Sequence, residues 1–185
     1  MNIDNDKTWI IKEDNFTSEK MQYYETIFTL GNGYLGTRGA TEEDYRLRKL
    51  ATYIAGLFDQ VESEVTELPN TPDWVSIELE LAGERLNLEK GTLLEYQRTL
   101  DLKQGLLSRN IRWQSPLGKV TTINFHRFVS MKDRHLMGIR LSITPENYDG
   151  SIKVVSSLNG QVTNEGTQHF TTVEECTYGE RGIYL

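Results

Sequence analysis

From Val75 to Leu81 the chain alternates without a break. Val75, Ile77, Leu79 and Leu81 fall on one side, and Ser76, Glu78 and Glu80 on the other. A period of two is that of a strand with one dry face and one wet face. The stretch predicts a strand whose four aliphatic side chains enter a core, each burial contributing roughly 1.5–3 kcal/mol. Ala82-Gly83-Glu84 reads as a tight turn, and Arg85 to Leu88 as the returning hairpin partner.

The same alternation, less regular, recurs along the chain. Thr8 to Lys12, Thr26 to Leu30, Tyr34 to Arg38 and Ala51 to Ala55 read as short strands. Leu93 to Leu100, Leu106 to Trp113, Lys119 to Ser130, Leu136 to Thr144 and Ser151 to Leu158 read as further strands. Gly105, Pro116-Leu117-Gly118 and the Pro145 to Gly150 segment separate several of these. Asn159-Gly160 signals a hairpin, with Gln168 to Glu174 and Gly182 to Leu185 as the last strands. Helical periodicity is confined to Ser18 to Tyr24, where Ser18 is expected to cap a turn and Met21 to point inward. Many short strands with turn signals between them predict an all-β fold, an antiparallel β-sandwich. The chain stops inside an apolar run, which predicts a truncated sandwich with an unpaired edge near its end.

Residues Glu25 to Glu43, ETIFTLGNGYLGTRGATEE, hold Gly31, Gly33, Gly36 and Gly39. A phosphate-binding loop would need a helix opening directly after the glycines. Here Thr37-Arg38-Gly39 follows, then the acidic cluster Glu42-Glu43-Asp44, which would repel a pyrophosphate. The run predicts a strand–turn–strand without nucleotide, its glycines serving positive φ or close backbone approach.

Composition narrows the classes. A net charge of −7 over 185 residues speaks against nucleic acid, and no basic run suits an anionic membrane. Cys176 is the single cysteine and sits among Thr and Glu, which reads as a quiet thiol in a reducing compartment. The N-terminus lacks a signal-peptide pattern, and no apolar stretch is long enough to span a bilayer. A soluble cytoplasmic protein is expected.

The glycine stretch also resembles the opening motif of glycoside hydrolase family 65. The likeness continues through Thr52-Tyr53-Ile54-Ala55-Gly56 and Thr66-Glu67-Leu68-Pro69-Asn70. Beyond these come Tyr96-x-Arg98-Thr99-Leu100-Asp101, Arg127-Phe128-Val129-Ser130, and Leu158-Asn159-Gly160 with Asn164 and His169. The resemblance implies that residues 1–185 are an N-terminal domain similar to the galactose-mutarotase-like supersandwich, incomplete at its C-terminus. It implies a parent enzyme that cleaves an α-linked glucose disaccharide, by inverting phosphorolysis or by hydrolysis. Inorganic phosphate would be the co-substrate, with no metal or organic cofactor. The partner of this domain would be a catalytic helical barrel, absent here, which carries the general acid and the phosphate site. No catalytic residue is therefore assigned to this chain. Homo-oligomers through the open edge are also expected.

The residues themselves offer few reaction centres. Glycoside cleavage needs two groups flanking one bond. Glu42 and Glu43 would point to opposite faces if they lay in a strand. His126, His135 and His169 are scattered, with no metal spacing and no shared site. Trp9, Trp74 and Trp113 read as packing rather than as sugar platforms. Asn32, Tyr34, Arg38, Glu42 and Glu43 remain as candidate interdomain contacts, with a local Arg38 pairing to Glu42 or Glu43 weighed equally. Two other readings stand beside this one: a stand-alone carbohydrate-binding β-sandwich, and a mutarotase-like enzyme.

Overall fold

The structure, a computed structural model, describes residues 9–61, 65–170, 176–178 and 182–184. In chain order it contains β1 (Ile10–Glu13), α1 (Met21–Ile27), β2 (Leu30–Gly31), β3 (Leu35–Thr37), β4 (Thr52–Ile54), β5 (Ile77–Leu81), β6 (Glu84–Arg85), β7 (Thr92–Asp101), β8 (Leu106–Gln114), β9 (Val120–Val129), β10 (Met137–Pro145), β11 (Ile152–Ser156), β12 (Cys176–Tyr178) and β13 (Gly182–Tyr184). Every pairing among them is antiparallel.

The main sheet runs in the order β1-β7-β8-β9-β10. Its three long central strands carry the alternation predicted for them. Two smaller sheets, β11-β5-β6 and β2-β3-β4, lie against its inner face. At one end Ile77, Leu79 and Leu81 of β5 pack with Ile111, Trp113, Ile123 and Phe125 of the main sheet. All four aliphatic residues from Val75 to Leu81 are buried, in the predicted register. At the other end Leu30 and Leu35 pack with Leu100, Leu107 and Val129. The fold is thus a sandwich with two apolar cores.

Three sequence expectations are corrected here. Residues 26 and 27 continue α1, so the strand expected from Thr26 shrinks to β2. The helical reason is the 3.6 period: Met21 and Glu25, four apart, are its buried residues. Ser18 does not cap a helix; its hydroxyl bonds to Glu89 instead. Asn159-Gly160 makes no hairpin, because the backbone of Asn159 exchanges two hydrogen bonds with Asp73, at 2.8 and 2.9 Å.

At the chain's end β13 pairs with β12 in a two-stranded sheet, and among the described strands it pairs with no other. Residues 168–170 lie outside any strand, and the rest of the strand expected there lies outside the described residues.

Candidate functional site

The glycine stretch folds as a strand, a turn and a strand. Asn32 Oδ1 accepts hydrogen bonds from the N–H groups of Tyr34 and Leu35, both at 3.0 Å. This is an Asx-type turn, in which the short side chain stands in for backbone. Gly33 takes φ +82°, a conformation other residues adopt at a cost. Gly39 serves close approach: a Cβ there would lie 2.5 Å from Phe28 Cβ. No helix follows the glycines; β3 runs into an irregular segment that reaches β4.

The turn is tied to the loop between β9 and β10. Asn32 Nδ2 donates to the carbonyls of Ser130 and Arg134, at 2.8 and 3.0 Å. The Tyr34 ring meets His135 edge-on with centroids 4.5 Å apart, and the Arg134 guanidinium lies 5.6 Å from the Tyr34 centroid. Asn32, Tyr34, Arg134 and His135 thus form one surface tip. Sequence separation hid it, since Asn32 and Arg134 stand 102 residues apart.

Arg38 pairs with neither Glu42 nor Glu43. Its guanidinium donates to Gln22 O at 3.1 Å and lies 3.5 Å from Glu25. It also borders an open groove of about 950 Å³, together with Lys49, Tyr53, Asn70, Gln161 and Asn164.

Glu42 and Glu43 are buried in an irregular segment, not in a strand, and they act side by side. Glu42 accepts from Arg109 and from Arg127, both at 2.6 Å. Glu43 accepts from Arg109 through both of its oxygens, one at 3.0 Å. Nearby, Arg98 donates to Glu13 at 2.8 Å and to Gly39 O at 2.8 Å. The three arginines sit between the two cores. Along β8 the inward residues run Ile111, Arg109, Leu107; along β7, Tyr96, Arg98, Leu100; along β9, Phe125, Arg127, Val129. A charged belt therefore crosses the inner face and fastens the segment after the glycine run to the main sheet.

The electrostatics follow from burial against pairing. Burial pushes the Glu42 carboxyl up, but the Arg109 and Arg127 guanidiniums outweigh it and hold the group below its ordinary value. Burial wins at Glu13 and Glu25, whose carboxyls are raised despite Arg98 and Arg38. Charge-assisted bonds from guanidinium to each oxygen of Glu42 favour its ionised form. The belt is built to hold shape, and Glu42 and Glu43 are not surface contacts.

The remaining candidates separate. His126 Nδ1 lies 3.0 Å from the Ser108 hydroxyl, and His135 is exposed at the tip. His169, read from the sequence as sharing no site, instead holds two carboxylates. Its ring lies 2.9 Å from Asp59 and 2.8 Å from Glu67, and these hydrogen bonds raise its pKa. Asp59 and Glu67 also exchange backbone hydrogen bonds, so His169 clasps the ends of a long connection. Trp113 is core, but Trp9 is exposed. Among the described residues no group of His, Cys, Asp or Glu is arranged to hold a metal, and no helix is long and apolar enough to cross a membrane.

Fold and site together define an antiparallel β-sandwich whose densest polar cluster is a structural ion network. Residues 11–185 match the family described as Glycosyl hydrolase family 65, N-terminal domain, and the chain belongs to that family. It is 49% identical over 179 residues to a kojibiose phosphorylase of Halothermothrix orenii, covering 97% of this chain and 23% of that protein. It is 36% identical to an α,α-trehalose phosphorylase of Thermoanaerobacter brockii, covering 84% of this chain and 22% of the relative. A solved structure from the human microbiome, provisionally named a kojibiose phosphorylase, superposes with a TM-score of 0.81 at 26% identity, over 92% of this chain and 24% of its own. The chain therefore spans about a quarter of the length of these relatives.

Proposed function

We propose that this chain is the non-catalytic N-terminal module of an enzyme that cleaves an α-linked glucose disaccharide by inverting phosphorolysis. Inorganic phosphate would be the attacking group, and a helical barrel would supply the general acid. The family match over residues 11–185, to about a quarter of each relative, carries the reading. The surface tip of Asn32, Tyr34 and His135, together with Arg38 at its groove, would face the barrel. This module would act in the cytoplasm, as a soluble protein.

Two relatives named for different disaccharides match the same domain, so the linkage would be chosen elsewhere in the parent. The test is a fusion. Residues 1–185 would replace the first quarter of the Halothermothrix orenii kojibiose phosphorylase, and phosphorolysis of kojibiose, trehalose, nigerose and maltose would be assayed. The fusion should turn over one of them, and the 185-residue chain alone should turn over none. Turnover by the chain alone, or a folded but inactive fusion, would overturn the reading.

A further inference from the structure

The outer face of the main sheet carries a site of a different kind. Along β9 the residues that point away from the core are Phe128, His126, Asn124 and Thr122, alternating with buried Val129, Arg127, Phe125 and Ile123. Phe128 is a large apolar side chain left 40% exposed. Its register partner on β10 is Gly138. A Cβ at Gly138 would lie 2.8 Å from Phe128 Cε1 and 3.1 Å from Cζ, so the ring occupies the space where a side chain would stand. An aromatic side chain set against a glycine and left this exposed offers apolar surface to a ligand.

Four residues along β9 from Phe128, a distance of about 14 Å, stands a row of neutral hydrogen-bonding side chains. Gln97, Asn110, Asn124 and Ser142 are register partners in turn across β7, β8, β9 and β10. Neighbouring strands place them about 4.8 Å apart. Among the described residues, Asn110 and Asn124 make no side-chain hydrogen bond within the protein, while Gln97 uses only its Nε2, on Asp14 at 2.9 Å. An open groove of about 410 Å³ runs over this row.

Charge at the amide end of this face is paired, while Arg140, the register partner of His126, stands exposed between the ring and the amides. Arg112 is engaged by Glu146 through three hydrogen bonds of 2.7 to 3.0 Å, and Thr122 donates to the same carboxylate at 2.7 Å. What is left for a ligand is an apolar ring, the donors of Arg140 and His126 beside it, then planar amides that both donate and accept. Sugars present the matching pair: a ring face of C–H groups and a rim of hydroxyls that donate and accept. A phosphate or a nucleic acid would want a free cation row, which the amide row does not supply.

We infer that the outer face of the main sheet binds a neutral oligosaccharide laid along β9, with one sugar on Phe128 and hydroxyls of others on Asn124, Asn110 and Gln97. The span from ring to amides exceeds a single sugar, so a longer chain engages both ends. This inference does not rest on the module reading, because it requires only the 185-residue chain.

The experiment is an amide NMR titration of that chain with maltohexaose and cellohexaose, with maltose as the short comparator. Saturable shifts should appear at Asn110, Asn124 and Phe128, with a hexasaccharide binding tighter than maltose and the affinity insensitive to salt. Phe128→Ala should weaken binding between about threefold and about tenfold, the range of a lost aromatic contact. Gly138→Ala should do the same by displacing the ring while leaving Phe128 in place. Asn124→Ala should cost about threefold. Shifts confined to other faces, an affinity that collapses with salt, or no saturable shift with either hexasaccharide would each overturn the inference.

Discussion

At the scale of single residues, Glu42 decides the most. It neutralises two buried arginines, Arg109 and Arg127. Removing one partner of a buried ion pair leaves the other charge uncompensated. Glu42→Gln should therefore destabilise the fold by about 3–5 kcal/mol, read from the midpoint of urea unfolding. The pH dependence has a definite sign. The Glu42 carboxyl is held down in the folded state, so its contribution is present above the ordinary carboxylate range and is lost as pH falls through the folded value. Glu13 and Glu25 act oppositely. Their folded carboxyls are raised, so stability falls as pH climbs from the ordinary value to the folded one. His169 offers a direct check. Its bonds to Asp59 and Glu67 favour the imidazolium, so that stabilisation is complete below the ordinary imidazole value and fades as pH rises through the raised one. NMR titration of the ring should show a midpoint above the ordinary value, and Asp59→Asn should bring it down.

At the scale of elements, local period governed what could be read. β5, β7, β8, β9 and β10 were legible because side chains two apart share a face, and apart from the buried arginines that face is mostly apolar. The turn at Asn32-Gly33 was legible as a turn because its chemistry is local. The end of α1 was not. Thr26-Ile27-Phe28 looks like the start of a strand, yet Phe28 packs on the second core while its N–H bonds back to Tyr24 O at 2.9 Å, which prolongs the helical turn. The partners of Glu42 and Glu43 were equally hidden. Arg109 and Arg127 lie 66 to 85 residues away, and adjacency in sequence suggested opposite faces only because a strand was assumed. Gly39 joins both levels. Its local role as a helix breaker was visible, but its contact with Phe28 was not. Gly39→Ala should force the two segments apart and destabilise by about 1–3 kcal/mol, as overpacking does, measured by thermal or urea unfolding.

At the scale of the whole molecule, two edges stand out. Among the described strands β10 pairs only with β9, and β11 pairs only with β5. Ile152, Val154 and Val155 of β11 are exposed. A strand edge with apolar side chains is a template for another strand. Association of the 185-residue chain should therefore rise with concentration in light scattering, and Val154→Lys should suppress it. A monomer at every concentration would show that this edge is protected.

The charged belt has one further consequence, for how the chain finds its pairing. A slip of β8 by two residues would keep every side chain on its own face, so the alternation of faces alone does not forbid it. Leu107 or Ile111 would take the place of Arg109, and Arg109 would enter one of the apolar cores. The slip would also carry Arg109 away from Glu42 and Glu43 and leave two carboxylates facing an aliphatic chain. The belt works as a key that fits one alignment of the strands. Replacing Glu42, Glu43, Arg109 and Arg127 together with apolar residues of similar volume should then leave unfolding free energy nearly unchanged while broadening the amide spectrum, as several alignments come to share the population.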